Sequence, residues 1–137
     1  MEKTYAPIYR SLQDCCQEWR VIEENMEALE LGGVFIFSED FSGFAGHFPG
    51  QAVLPAIVQL ASIRFLAEQG LGRSVLPAEY SRTKFRASIQ PGDRVEVQLR
   101  LLSNEENWTG SFTIHINGEE LVASGMCEFY PYTKTGN

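Results

Sequence analysis

The stretch Gly46-His47-Phe48-Pro49-Gly50-Gln51-Ala52-Val53-Leu54-Pro55-Ala56 runs directly into Ile57-Val58-Gln59-Leu60-Ala61-Ser62-Ile63-Arg64-Phe65-Leu66-Ala67-Glu68-Gln69-Gly70. Proline fixes its own φ and donates no backbone hydrogen bond, so Pro49-Gly50 predicts a turn and Pro55 a helix start. From Pro55 to Gln69 the apolar residues Ile57, Val58, Leu60, Ala61, Ile63, Phe65, Leu66 and Ala67 occupy most of the helical circumference. A helix apolar nearly all round is a buried one. Gly70-Leu71-Gly72 supplies its C-cap glycine. A histidine in a rigid turn thus feeds a long buried helix, expected over residues 55–69.

Working outward, the downstream sequence is strand-like. Val95, Val97, Leu99 and Leu101 alternate with Glu96, Gln98 and Arg100, the pattern of a sheet with one buried face. Strands are expected from Tyr80 to Ile89, Arg94 to Leu102, Thr109 to Ile116 and Glu120 to Tyr130. Turns fall at Pro91-Gly92-Asp93, at Asn104 to Asn107 and at an Asn117-Gly118 hairpin. Upstream, Ile8, Leu12, Cys15, Cys16 and Trp19 recur at threes and fours, predicting a short amphipathic helix over about 7–18. The mixed pattern from Trp19 to Leu31 reads as a strand and a turn ending at Gly32-Gly33. Val34-Phe35-Ile36-Phe37 reads as a strand. Together these elements predict an α+β fold in which an antiparallel sheet bends around one long helix.

The 137 residues are expected to form a single domain, 1–137, with no repeat and no low-complexity segment. No apolar run approaches the roughly 20 residues of a membrane span. Met1-Glu2-Lys3-Thr4-Tyr5 does not resemble a secretion signal, so a cytoplasmic location is expected. Cys15, Cys16 and Cys127 form no CxxC pair and are expected to be reduced thiols. With His47 and His115 the only histidines, no metal site and no cofactor are expected. The net charge of −7 argues against nucleic acid as a partner. It is unevenly spread, with seven bases against four acids over residues 64–100. There Arg73, Arg82, Lys84, Arg86 and Arg94 form either a patch for an anionic ligand or an ordinary charge-mixed face.

Gly46-His47-Phe48-Pro49-Gly50, Val53-Leu54-Pro55, the helix, Phe85 and Pro91-Gly92-Asp93 resemble, in order and spacing from about Val34 to Phe129, the hot-dog-fold 3-hydroxyacyl-[acyl-carrier-protein] dehydratases of fatty-acid synthesis. The resemblance implies a hot-dog fold and a homodimer or higher assembly whose sheets join edge to edge. It also implies active sites at the interface and an acyl-carrier-protein or coenzyme A thioester as substrate. Dehydration needs a base for the C2 proton, a donor to polarise the thioester carbonyl and an acid for the leaving hydroxyl. His47, with an ordinary pKa near 6.5, fits the first task. Backbone amides around Pro55, Ala56 and Ile57 fit the second. Ala56 stands where the family has glycine, which places a methyl near the thioester.

The third task has no obvious owner. The family's acid falls fourteen residues after the histidine, at Ala61, which donates no proton. Glu68 lies seven residues on, about 10 Å along the helix, too far to substitute. Gln59 and Ser62 are candidates to position a water. Arg64 is a candidate for an anionic substrate group, or for an ion pair with Glu68. Arg82, Lys84 and Arg86 are candidates to meet an acidic carrier protein or its phosphate. His115 reads as solvent-facing, and Phe48, Phe65 and Phe85 as core and tunnel wall. Three functions stay open: a dehydratase-like lyase, a non-catalytic acyl-binding or accessory subunit of a hot-dog heteromer, and a hot-dog thioesterase.

Overall fold

A computed structural model of the chain describes residues 6–44 and 52–133, with side chains from Tyr9 onward. The order is α1 (Ala6–Cys15), β1 (Cys16–Glu24), β2 (Ala28–Ile36), a 3-10 turn at Ser42–Phe44, α2 (Ala56–Leu71), β3 (Val75–Phe85), β4 (Arg94–Ser103), β5 (Trp108–Ile116) and β6 (Glu120–Pro131). The six strands form one sheet in the order β1-β2-β4-β5-β6-β3, and all five pairings are antiparallel. With α2 laid across its inner face, this is the hot-dog arrangement.

The inner face follows from alternation. Val95, Val97, Leu99 and Leu101 of β4 and Phe112, Ile114 and Ile116 of β5 are buried. They share one core with Leu31, Phe35, Ile63, Leu66 and Phe129. Burying each such side chain contributes about 1.5–3 kcal/mol. Asn117 and Gly118 both have positive φ, 53° and 80°, as a two-residue hairpin requires. Gly72 closes α2 in the left-handed region, φ 68°, and donates to the Glu68 carbonyl at 2.9 Å.

Several sequence-based expectations are corrected. Gly32-Gly33 is no turn, because β2 runs straight through it and the turn lies at residues 25–27. The two glycines are there for close packing. A Cβ on Gly32 would sit 3.1 Å from Ile22 Cδ1, and one on Gly33 would sit 3.2 Å from Leu66 Cδ1. The first helix stops at Cys15 and passes without a loop into β1, where Trp19 is 40% exposed rather than part of an apolar helical stripe. The third strand begins at Val75, so Pro77 lies within it. Proline is tolerated there because β3 is an edge strand and its register shifts between Pro77 and Glu79. Phe85 is 44% exposed and is not core, whereas Phe65 is buried. His115 is half-buried on β5 opposite Glu96.

Candidate functional site at the start of helix α2

The site is built on α2. Pro55 caps it with extended backbone, φ −63° and ψ 151°, and contributes no side-chain hydrogen bond. The N–H groups of Val58 and Gln59 both reach the Pro55 carbonyl, at 3.0 and 3.2 Å. Those of Ala56 and Ile57 therefore precede the first intrahelical bond and point out of the positive end of the helix dipole. Ala56 is exposed and Ile57 is 73% exposed, so this end of the helix is open although the rest is buried or half-buried.

From that opening a cavity of about 240 Å³ runs along α2, lined by Tyr9, Ile57, Val58, Leu60, Ala61, Arg64, Pro77 and Tyr80. Ile57, Ala61 and Arg64 recur on one face of α2, at i, i+4 and i+7. The wall opposite comes from β3, where the Tyr80 hydroxyl donates to the Leu60 carbonyl at 3.2 Å. Ala61 puts a methyl into this lining, and no carboxylate from α2 takes its place.

One end of the cavity is closed by a charged network. The Tyr9 hydroxyl donates to Glu68 Oε1. Glu68 Oε2 accepts the Val75 N–H at 2.7 Å and pairs with Arg64 Nε at 3.4 Å. Arg64 Nε also donates to the Val75 carbonyl at 3.1 Å, and its guanidinium lies 5.0 Å from the centre of the Tyr9 ring. Burial, and then the bond to Glu68, push the Tyr9 phenol well above its usual range. Glu68 is thus held among α1, α2 and β3 and is not an acid for Ala61's position. Arg64 takes the ion-pair role.

Gln59 and Ser62 turn away from the cavity into the core, 4% and 2% exposed. Ser62 Oγ donates to the Gln59 carbonyl at 2.6 Å, which occupies its proton. Gln59 Nε2 reaches the Leu54 carbonyl at 3.4 Å, and its Oε1 is buried without a hydrogen-bond partner among the described residues. His47 and Phe48 lie outside the described residues, as does the Pro49-Gly50 turn. Ile57, Ala61 and Arg64 are brought together along one face of α2 and line the cavity, whereas Pro55 and Ala56 stand at the N-terminus of the helix outside that lining.

The five candidate bases do not make one patch. Arg94 pairs with Glu96 at 3.2 Å, and Arg73 lies over Trp108 at 5.8 Å. Arg82, Lys84 and Arg86 do come together, in a surface depression with Ser111, Thr113, Ser124 and Met126. A bulge between Ser81 and Lys84 turns β3 there, with Arg82 at φ 51°. Burial pushes the thiols of Cys15 and Cys127 up, to about 11 and about 12. Among the described residues no group of three or more His, Cys, Asp or Glu is arranged to hold a metal. No helix among them is long and apolar enough to cross a membrane.

Tyr9, Pro77 and Tyr80 are the site residues that sequence reasoning missed. Tyr9 stands three residues before Leu12, at the margin of the apolar stripe of α1, and that spacing is its only local signal.

A family model of ApeI-like proteins, described as ApeI dehydratase, matches residues 23–126. The chain belongs to this dehydratase family. The 3-hydroxyacyl-[acyl-carrier-protein] dehydratase FabZ of Moorella thermoacetica is 30% identical over 112 residues, covering 74% of this chain and 78% of the relative. The FabZ of Geobacillus thermodenitrificans is 30% identical over 106 residues, covering 72% and 71%. Among solved structures, the dehydratase heterocomplex ApeI:P from Xenorhabdus doucetiae has a chain that aligns with TM-score 0.64 at 19% identity, covering 84% of this chain and 96% of that one. The putative thioesterase yhdA of Lactococcus lactis aligns with TM-score 0.69 at 15% identity, covering 90% and 96%. At such identities these structures show the shared fold.

Proposed function

We propose that this chain is a dehydratase-type protein of fatty-acid or polyketide-type lipid metabolism that takes 3-hydroxyacyl thioesters of acyl carrier protein or coenzyme A. The observation that carries the reading is the apolar cavity that follows α2 from Ile57 over Ala61 to Arg64. In this reading His47 takes the C2 proton, and the N–H groups of Ala56 and Ile57 receive the thioester carbonyl as enolate charge develops. The β-hydroxyl leaves as water with a proton from a bound water, another side chain or a partner subunit. Arg82, Lys84 and Arg86 receive the acidic carrier. The unpaired edge of β3 supports a homodimer joined edge to edge, since an open edge otherwise invites uncontrolled association. The purified chain, given 3-hydroxyacyl thioesters, is expected to form the 2-enoyl thioester. Thioester binding without product would refute the catalytic reading.

One observation favours a second reading. By the resemblance the family's acid falls at Ala61, and the half-buried methyl found there in the cavity lining suits a non-catalytic acyl-binding subunit that works beside another hot-dog chain. The Xenorhabdus structural neighbour is a chain of a dehydratase heterocomplex, ApeI:P. Activity that appears only after mixing with a second hot-dog chain carrying the acid would establish this reading.

A further inference from the structure

Tyr9 comes from α1, upstream of the residues 23–126 that match the family model, yet it lines the cavity and binds its far end. From the side chain of Ile57 to that of Arg64 the cavity follows α2 for seven residues, about 10 Å. Its volume of about 240 Å³ is that of roughly eight water-sized groups, and a methylene is of similar size. At the Ile57 end, the positive end of the α2 dipole suits a carbonyl. Along the walls, Ile57, Leu60, Ala61, Pro77 and the ring of Tyr80 offer only apolar surface to the carbons beyond that carbonyl. At the far end, the Tyr9 hydroxyl, Glu68 and Arg64 are turned to one another. A polar ligand group would have to break those contacts, whereas an alkyl chain would simply stop at the ring.

Building on the reading of the site as an acyl-thioester site, we infer that Tyr9 is a specificity-determining residue: its ring ends the cavity and limits the acyl tail to about eight carbons. The occupant is an unbranched apolar tail of a thioester. The cap is held at three points, because Glu68 ties Tyr9 to the start of β3 and Arg64 stacks on its ring. Phe65 supports the ring edge-on, with centroids 6.0 Å apart. The closure is therefore supplied by α1, upstream of the residues that match the family model.

The test uses saturated acyl-coenzyme A thioesters of increasing length, which bind without turnover, in titration calorimetry on the full chain. Wild-type affinity is expected to rise by about fourfold per methylene up to about eight carbons and then level or fall. Tyr9→Ala is expected to move that ceiling out by about two carbons or more, and Tyr9→Leu, which keeps an apolar cap on α1, by less. Tyr9→Phe keeps the ring and is expected to keep the ceiling, which separates closure by the ring from recognition by the hydroxyl. Circular dichroism establishes that each variant is folded. An unchanged ceiling in both Tyr9→Ala and Tyr9→Leu overturns the inference and leaves the acyl-site reading standing. Absence of binding at every length overturns that reading and the inference with it. A change in self-association on Tyr9 substitution, with the ceiling unmoved, assigns the cavity to a second copy of the chain and likewise overturns the inference.

Discussion

Replacing Ala61 by glutamate tests the site from its most informative wall. The side chain at 61 is half-buried in a cavity whose other walls are Ile57, Leu60, Pro77 and Tyr80, and the free volume exceeds what the added atoms need, so overpacking is not the cost. The cost is electrostatic. Apolar walls disfavour the charged carboxylate, while Arg64, three residues on, is already shared with Glu68. The new carboxyl should therefore sit about one to two pH units above its ordinary value of about 4.3, equivalent to about 1–3 kcal/mol at neutral pH. The sign is fixed by linkage. A carboxyl whose folded pKa is raised costs nothing extra below the unfolded pKa. Its penalty grows as pH rises through the folded pKa and then levels. Urea unfolding of Ala61→Glu and wild type should therefore coincide near pH 4 and diverge by pH 7. The same raised pKa keeps a proton available for the leaving hydroxyl, and a positioned general acid is worth about 10²–10⁴ in rate. Dehydration, followed by absorbance of the 2-enoyl thioester, should rise by that factor. A penalty that does not vary with pH would refute the placement of residue 61 in an apolar cavity. A pH-dependent penalty with no gain in rate would refute its assignment to the acid's position.

Three further outcomes are expected. His47→Ala should lower any dehydration activity by about 10²–10⁴ while leaving saturated-thioester binding within a few-fold, and equal activity in the two proteins would remove His47 from the chemistry. Reversing Arg82, Lys84 and Arg86 to glutamate should weaken carrier-protein binding strongly at low salt and less at high salt, with cavity occupancy by short acyl-coenzyme A tails unchanged; loss that ignores ionic strength would reject a charge-based contact. Cys127, its thiol pushed up to about 12 by burial, is protonated at pH 8 and should label far more slowly there than the half-buried Cys16. Equal labelling rates in the folded protein would mean that β6 opens locally.

How much of this was legible in the sequence depends on whether the cause was local. The alternation in β4, the Asn117-Gly118 hairpin and the glycine closing α2 are decided by neighbouring residues and by backbone sterics, and each stands where the sequence puts it. Gly32-Gly33 misled because its reason is the approach of Ile22 from the paired strand and of Leu66 from a distant helix, and a glycine pair without that knowledge reads as a turn. The start of β3 at Val75, ahead of the expected Tyr80, was not legible because the edge position that admits Pro77 is a property of topology. In the site, the helix face that carries Ile57, Ala61 and Arg64 follows from helical periodicity. Its closure by Tyr9 joins residues 59 apart in the chain and leaves no pattern in either segment.

The strand order also bears on how the site comes into being. β4, β5 and β6 follow one another through short turns and form a local meander. β2 must instead find β4 across a long stretch of chain, closing with Ile36 beside Arg94, and β3 must reach β6 with Val75 beside Pro131. Closing such loops costs entropy before any contact repays it, so the meander is the natural nucleus. Helix α2 lies inside the loop that the β2–β4 pairing closes, and Tyr9 lies outside it. The cavity is therefore assembled late in folding, and changes to its lining act on how fast the native chain comes apart more than on how fast it forms.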